Sequence, residues 1–251
     1  MFDLIAFDGD DTLWHNERLY TAGRERFREL LTRYGAEAGD ERLDEIEIGN
    51  LPYYGYGVMS FALSLIETAI DLTGGQITGE DLRPLLDMAK EMLTAEVDLF
   101  AHVEETLIQL SSTHTLMLIT KGDLLHQLKK VRQSGLDAYF RYVEVVSDKT
   151  LETYTAILER YDCAPGRFLM IGNSLRSDVF PVLKAGGHAV YIPNDLTWSH
   201  EIVEPPTGDS HQYFQVEHIG LLPDLIAQLT TSSPMIQRAY HRTEAQKERD
   251  R

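Results

Sequence analysis

The segment LIAFDGDDTLWHNE, residues 4–17, ends a short apolar run on Asp8, Asp10 and Asp11, with Thr12 next. Asp-rich turns are common after strands, because Asp hydrogen-bonds its own backbone and tolerates turn conformations. Carboxylates at a strand's end can also collect a cation and attack an electrophile. Three further apolar runs end on polar groups: Thr120 and Lys121 in LMLITKGD, Lys149 in VVSDKT, and Asn173, Ser174 and Asp178 in MIGNSLRSD. Together they suit phosphoryl transfer through an aspartyl phosphate. A carboxylate attacks phosphorus when Mg²⁺ and a lysine screen the two anions from each other, and a second acid protonates the leaving oxygen. Taken singly, Asp11 reads as a turn or helix-start residue, Lys149 as a solvated loop lysine, and Ser174 and Ser177 as turn or cap residues.

Elements must bring these ends together. Short β-branched or aliphatic runs occur at 3–7, 115–119, 143–146, 167–171 and 188–192, most followed by amphipathic segments. That alternation predicts an α/β chain with a Rossmann-like parallel sheet and right-handed crossovers. In such sheets ligands bind outside the carboxyl ends of the strands. Between the first two runs lie segments with apolar residues at helical spacing, 18–34, 58–72 and 80–95, and no convincing strand. The expected organisation is a catalytic core of residues 1–16 and 98–233, an inserted α-helical cap of 17–97, and a charged, solvent-exposed tail of 234–251.

On Asp8, Asp10 and Thr12 in FDGDDTL, Thr120, Lys149 and the turn GNSLRSD, in that order, the sequence resembles the haloacid dehalogenase superfamily of hydrolases. The resemblance covers nearly the whole chain. It implies Asp8 as nucleophile, Asp10 as general acid and then base, and Thr120 and Lys149 as phosphate and charge stabilisers. It implies Mg²⁺ on Asp8, the Asp10 carbonyl and the fourth motif, here Asn173 and Asp178, and it makes the helical insert a C1 cap. Two positions depart from the pattern. Asn173 stands where an acid is usual and offers a neutral oxygen, and Thr150 follows Lys149 where a proline is common, which loses a rigid turn but no catalytic group.

Substrate-binding candidates are Thr120, Lys121, Lys149, His15 beside the first motif, and Tyr54 and Tyr56 in NLPYYGYG. A packing role is open for the tyrosines and a hinge or packing role for His15. Trp198 and His200 are candidates for the rim. No His pair has zinc-like spacing.

Composition narrows the classes. With 40 acidic against 23 basic side chains and a formal charge of -17, the chain is unsuited to neutralising nucleic-acid phosphates. No run is apolar enough to span a bilayer. The early Asp3 and Asp8 and a single cysteine, Cys163, lead to the expectation of a cytoplasmic protein. The expected function is a Mg²⁺-dependent phosphatase acting on a small phosphorylated metabolite. Alternatives are a phosphomutase, a dehalogenase, for which Asp10 is superfluous, and a catalytically weak ligand-binding protein of the same fold. A receiver-like signalling module is disfavoured, since its phospho-accepting Asp ends the third strand.

Overall fold

The structure, a computed structural model, describes residues 2–36, 39–206 and 211–231. The expected charged tail of 234–251 lies outside the described residues. Chain order runs β1 (Leu4–Phe7), then four helices, α1 (Glu17–Thr32), α2 (Gly39–Tyr54), α3 (Val58–Leu72) and α4 (Gly79–Thr94). It continues with α5 (Val103–Ser111), β2 (Thr115–Lys121), α6 (Leu124–Gln133), β3 (Tyr142–Val146) and α7 (Leu151–Arg160). The last part holds β4 (Phe168–Gly172), α8 (Phe180–Lys184), β5 (His188–Tyr191), β6 (Tyr213–Gln215) and α9 (Leu222–Thr231).

The strands form one parallel sheet in the order β3-β2-β1-β4-β5-β6. Each predicted strand is present within a residue or two. β6 is an addition: three residues at the sheet edge, two half-buried and one exposed, are too short to show a period. β1 is central, with Phe7 opposite Leu118 of β2 and Ile171 of β4. The residues that follow these strands therefore emerge side by side on one edge.

Alternate residues of the central strands feed two apolar layers, as a period of two requires. Ile5, Phe7, Leu118 and Ile171 pack with Val103 and Leu107 of α5, Val131 of α6 and Leu222 and Leu225 of α9. Leu4, Ala6, Ile119 and Met170 pack with Tyr154 and Ile157 of α7 and Val182 of α8. Each fully buried side chain of this size contributes about 1.5–3 kcal/mol, which fixes the strand ends rigidly.

The inserted helices α1–α4 form a helical cap with its own core, including Phe27, Leu31, Leu43, Phe61, Leu65 and Met88. Thr78 starts α4 by accepting the Asp81 N–H at 3.2 Å. α2 did not stand out in the sequence. Its buried face has helical spacing, but Leu43 and Ile46 share it with Gly39, Glu47 and Asn50, so the apolar stripe is broken.

Candidate active site

The strand ends surround a cavity of about 140 Å³ between the sheet edge and the cap. Asp8, Asp10, Thr120, Lys121, Lys149, Asn173 and Asp178 all border it. Lys149 Nζ donates to Asp8 Oδ1 at 2.5 Å and to Asp178 Oδ1 at 2.7 Å. Asp178 Oδ2 also accepts the Ser174 N–H at 3.0 Å. This packing demands a glycine at 172, because a Cβ there would lie 2.2 Å from Asp178 Oδ2.

One cation thus faces two buried carboxylates. Burial pushes the Asp8 carboxyl up; Lys149 pulls it down and Asp178 raises it again, leaving it at about 7. Lys149 is drawn above its ordinary value, although burial opposes this, by Asp178 and Asp8. The Thr120 hydroxyl, by contrast, is buried with no hydrogen-bond partner among the described residues. A buried hydroxyl left open is costly, and a phosphoryl oxygen in the cavity would satisfy it.

Asp10 is held differently. Lys130 Nζ lies 2.6 and 2.8 Å from its two oxygens, Gln127 Nε2 donates to it at 2.9 Å, and Trp14 Nε1 donates at 2.5 Å. Burial raises the Asp10 carboxyl, but Lys130 and the other two donors outweigh burial and bring it below the ordinary value. Asp11 also borders the cavity, in a left-handed conformation, φ 61°, which Asp tolerates. It accepts the N–H groups of Asn16 and Glu17 at 3.0 Å, the helix-start role expected for it.

The residues present bear on metal binding through Asn173. One terminal atom of its amide lies 3.2 Å from Asp8 Oδ2, the Asp10 carbonyl oxygen and Thr12 Oγ1. The apo hydrogen-bond network favours nitrogen there, since the first two neighbours only accept. Turned over, the amide joins those oxygens as an all-oxygen donor set of the kind Mg²⁺ takes, with water completing the shell. The uncompensated charge of the Asp8, Asp178 and Lys149 cluster also suits a cation. Asp178 stands apart from this set, because both its oxygens are committed to Lys149 and Ser174.

The other candidates divide. Lys121 borders the cavity but donates to Glu201 Oε1 at 2.5 Å and Ser177 Oγ at 3.0 Å, with its Nζ 4.1 Å from the Tyr56 ring centre. Tyr56 lines the cavity. Tyr54 does not: it sits half-exposed at the end of α2, and Gly55, at φ 68°, turns the chain before Tyr56. His15 also lies outside the cavity, its ring 3.8 Å from that of Phe100 where the chain returns from the cap. Trp198 borders the cavity beside Tyr56, whereas the His200 ring packs on Trp198 from outside it.

Sequence reasoning missed Lys130, Gln127 and Glu201. Lys130 and Gln127 are spaced three apart on α6, straight after the second motif, and that spacing put them on one helix face. Glu201 ends a single 3-10 turn, Ser199–Glu201, too short to show a period, and gave no signal. Burial raises its carboxyl, but Lys121, Ser174 and Ser177 hold it down at about 2.

Comparison with known proteins agrees with this architecture. A family model described as haloacid dehalogenase-like hydrolase matches residues 2–186. A haloacid dehalogenase-like family hydrolase of Xanthomonas campestris is 37% identical and superposes with a TM-score of 0.80 over 91% of each chain. The glyceraldehyde 3-phosphate phosphatase of Methanothermobacter thermautotrophicus is 25% identical over 78% of this chain and 88% of that protein. A 2-haloacid dehalogenase of Pseudomonas syringae pv. Tomato shares the fold, at 22% identity and a TM-score of 0.61 over 91% of this chain and 99% of that one. The family match spans β1 to β4, and with them Asp8, Asp10, Thr120, Lys149, Asn173 and Asp178, so this chain belongs to the haloacid dehalogenase-like hydrolases.

Proposed function

We propose that the protein is a Mg²⁺-dependent phosphatase that hydrolyses a small phosphorylated metabolite through an aspartyl phosphate on Asp8. The observation that carries this reading is the pairing of Asp8, on Lys149, with a second carboxylate, Asp10, and the open Thr120 hydroxyl in one cavity. The 25% identical phosphatase supports it. Asp8 attacks phosphorus, and the bond from phosphorus to the ester oxygen breaks. Lys149 and Thr120 take the phosphoryl oxygens, and the leaving oxygen departs with a proton from Asp10 or, when the alcohol is acidic enough, as the anion. Water then attacks phosphorus, gives its proton to Asp10 and frees inorganic phosphate from Asp8. Asp8, the Asp10 carbonyl and Asn173 would hold Mg²⁺, which supplies positive charge between the nucleophile and the phosphoryl oxygens.

Asp10, held ionised by Lys130, is better prepared for the second step than for the first. That same observation favours a second reading, a dehalogenase, whose displacement needs no proton donor. Phosphate release from p-nitrophenyl phosphate, with and without chelator, is compared with chloride release from 2-chloropropionate. Chelator-sensitive phosphate release supports the phosphatase, and chloride release without phosphate release overturns it.

A further inference from the structure

The far end of the cavity belongs to the cap. Glu17, Tyr20 and Arg24 of α1, Glu47 of α2 and Ser60 of α3 line it. Arg24 is the cation one would expect to receive an anionic substrate, but it is already engaged. Its Nη2 lies 2.7 Å from Glu47 Oε2 and 2.8 Å from Asp44 Oδ1, and its side chain is only 13% exposed. Its guanidinium lies 5.9 Å from the Phe61 ring centre. Two carboxylates, those of Asp44 and Glu47, therefore share one guanidinium, and a third, that of Glu17, borders the same space. The Glu17 carboxylate has no hydrogen-bond partner among the described residues.

An independent feature faces the same space. Ser60 is 3% exposed, and its Oγ has no hydrogen-bond partner among the described residues. A buried hydroxyl without a partner costs free energy, and a ligand group at this end would supply the bond. Two carboxylates and a hydroxyl oxygen offer three acceptors, and an ammonium has three N–H donors. Burial pushes the Glu17 carboxyl to about 8 and the Glu47 carboxyl to about 7, Arg24 opposing both, and Asp11 and Asp44 respectively adding to the rise. An incoming cation would relieve that strain, and an incoming carboxylate would add to it.

We propose that the cap end of the cavity receives a protonated amine on Glu17, Glu47 and Ser60, so that the substrates are phosphate monoesters of small amino alcohols. This rests on the phosphatase reading and adds its substrate class. The strand ends take the phosphate, and the cap takes the ammonium.

The test uses three matched series of esters with chains of two to four carbons: ω-aminoalkyl, n-alkyl and ω-carboxyalkyl phosphates. With the full chain and Mg²⁺, kcat/KM for the best aminoalkyl ester should exceed that of its alkyl match by about tenfold or more, the scale of one charge-assisted hydrogen bond. The carboxyalkyl esters should fall below the alkyl ones. Glu17→Gln should shrink the amine preference to within about threefold, and Ser60→Ala should reduce it. Alkyl esters hydrolysed as well as aminoalkyl esters at every length overturn the proposal and leave the phosphatase reading intact. Calorimetric binding of the same esters reads the ranking without turnover. An amine preference in binding with no hydrolysis of any ester overturns the phosphatase reading alone.

Discussion

Lys149 donates to Asp178 Oδ1 at 2.7 Å, close to the 2.5 Å at which it meets Asp8, so the nucleophile candidate holds only part of its counter-ion. Asp178 is 1% exposed and raises the Asp8 carboxyl rather than assisting its ionisation. The resting site is therefore short of positive charge, a state that a cation at Asp8 Oδ2 relieves and that favours a protonated Asp8 in its absence.

This makes Asp8→Asn informative in two ways. Turnover should vanish, because the amide keeps the shape but cannot attack phosphorus. Stability should move the other way. A carboxyl raised from 3.8 to about 7 contributes stability that is fully present below pH 3.8 and lost as pH rises through 7. The variant should gain on the wild type across that window and hold a lead of about 4 kcal/mol above it. Chemical denaturation in chelator at pH 5 and pH 8 checks this, and a lead that does not grow with pH would refute the charge deficit.

Asn173→Asp places a charge where the amide now meets Asp8 Oδ2 and the Asp10 carbonyl. Half-saturating Mg²⁺ should fall about tenfold or more, because each carboxylate in the donor set strengthens binding. Without metal the variant should be less stable by about 1–3 kcal/mol, having traded a donor for a third anion. Turnover need not rise, since an added anion also repels the phosphate. Magnesium titrations of initial rate and of thermal midpoint read the two effects; an unmoved half-saturation puts Asn173 outside the metal's donor set.

Lys130 sets the bias of Asp10. Lys130→Met removes the cation 2.6 Å from Asp10 Oδ1 and lets burial raise the carboxyl, so Asp10 becomes a better acid and a weaker base. Wild-type turnover should favour aryl over alkyl phosphates strongly, and the variant should narrow that gap by about tenfold. The measurement is a leaving-group series of kcat/KM in both proteins. An unchanged slope would mean that Lys130 anchors Asp10 without tuning it.

The strand ends were legible because each couples two local signals, an apolar run and an abrupt polar stop, and because parallel topology forces those stops onto one edge. The neighbours of the catalytic candidates were harder to read. Asp178 has the residue type of a metal ligand, but its oxygens are drawn to Lys149 and the Ser174 N–H by a close approach that only Gly172 permits. Glu201 is 80 residues from its partner Lys121, and no periodicity links a loop residue to a strand end. Tyr54 and Tyr56 have the same type and nearly the same position, and a single turn at Gly55 separates the exposed ring from the cavity-lining one.

Glu201 carries an acid-stability signature. Its carboxyl falls from 4.5 to about 2, Lys121 and the two serines overcoming the effect of burial. A lowered carboxyl contributes stability that is present above pH 4.5 and lost as pH falls toward 2. Glu201→Gln should therefore cost about 3 kcal/mol at pH 7 and progressively less below pH 4.5. Denaturant midpoints of both proteins from pH 7 to pH 3 should converge, and parallel curves would mean that the pair adds nothing specific to the fold.

The Thr120 hydroxyl separates stability from function most cleanly. It is buried at the end of β2 with no partner among the described residues, so the resting fold carries an unsatisfied donor that a group entering the cavity can satisfy. Thr120→Val keeps the branched shape and removes the hydroxyl. Because an unmet polar group costs free energy that an apolar group of the same shape does not, the variant should be more stable by about 1 kcal/mol. Its kcat should drop about 10- to 100-fold, since a hydrogen bond made only to the phosphoryl oxygens is lost where charge develops. A serine at this position should restore much of the rate, while a purely structural threonine would leave serine no better than valine. Denaturation curves and steady-state rates for wild type, Thr120→Val and Thr120→Ser decide it: a valine variant that is both destabilised and fully active would remove Thr120 from the phosphate site.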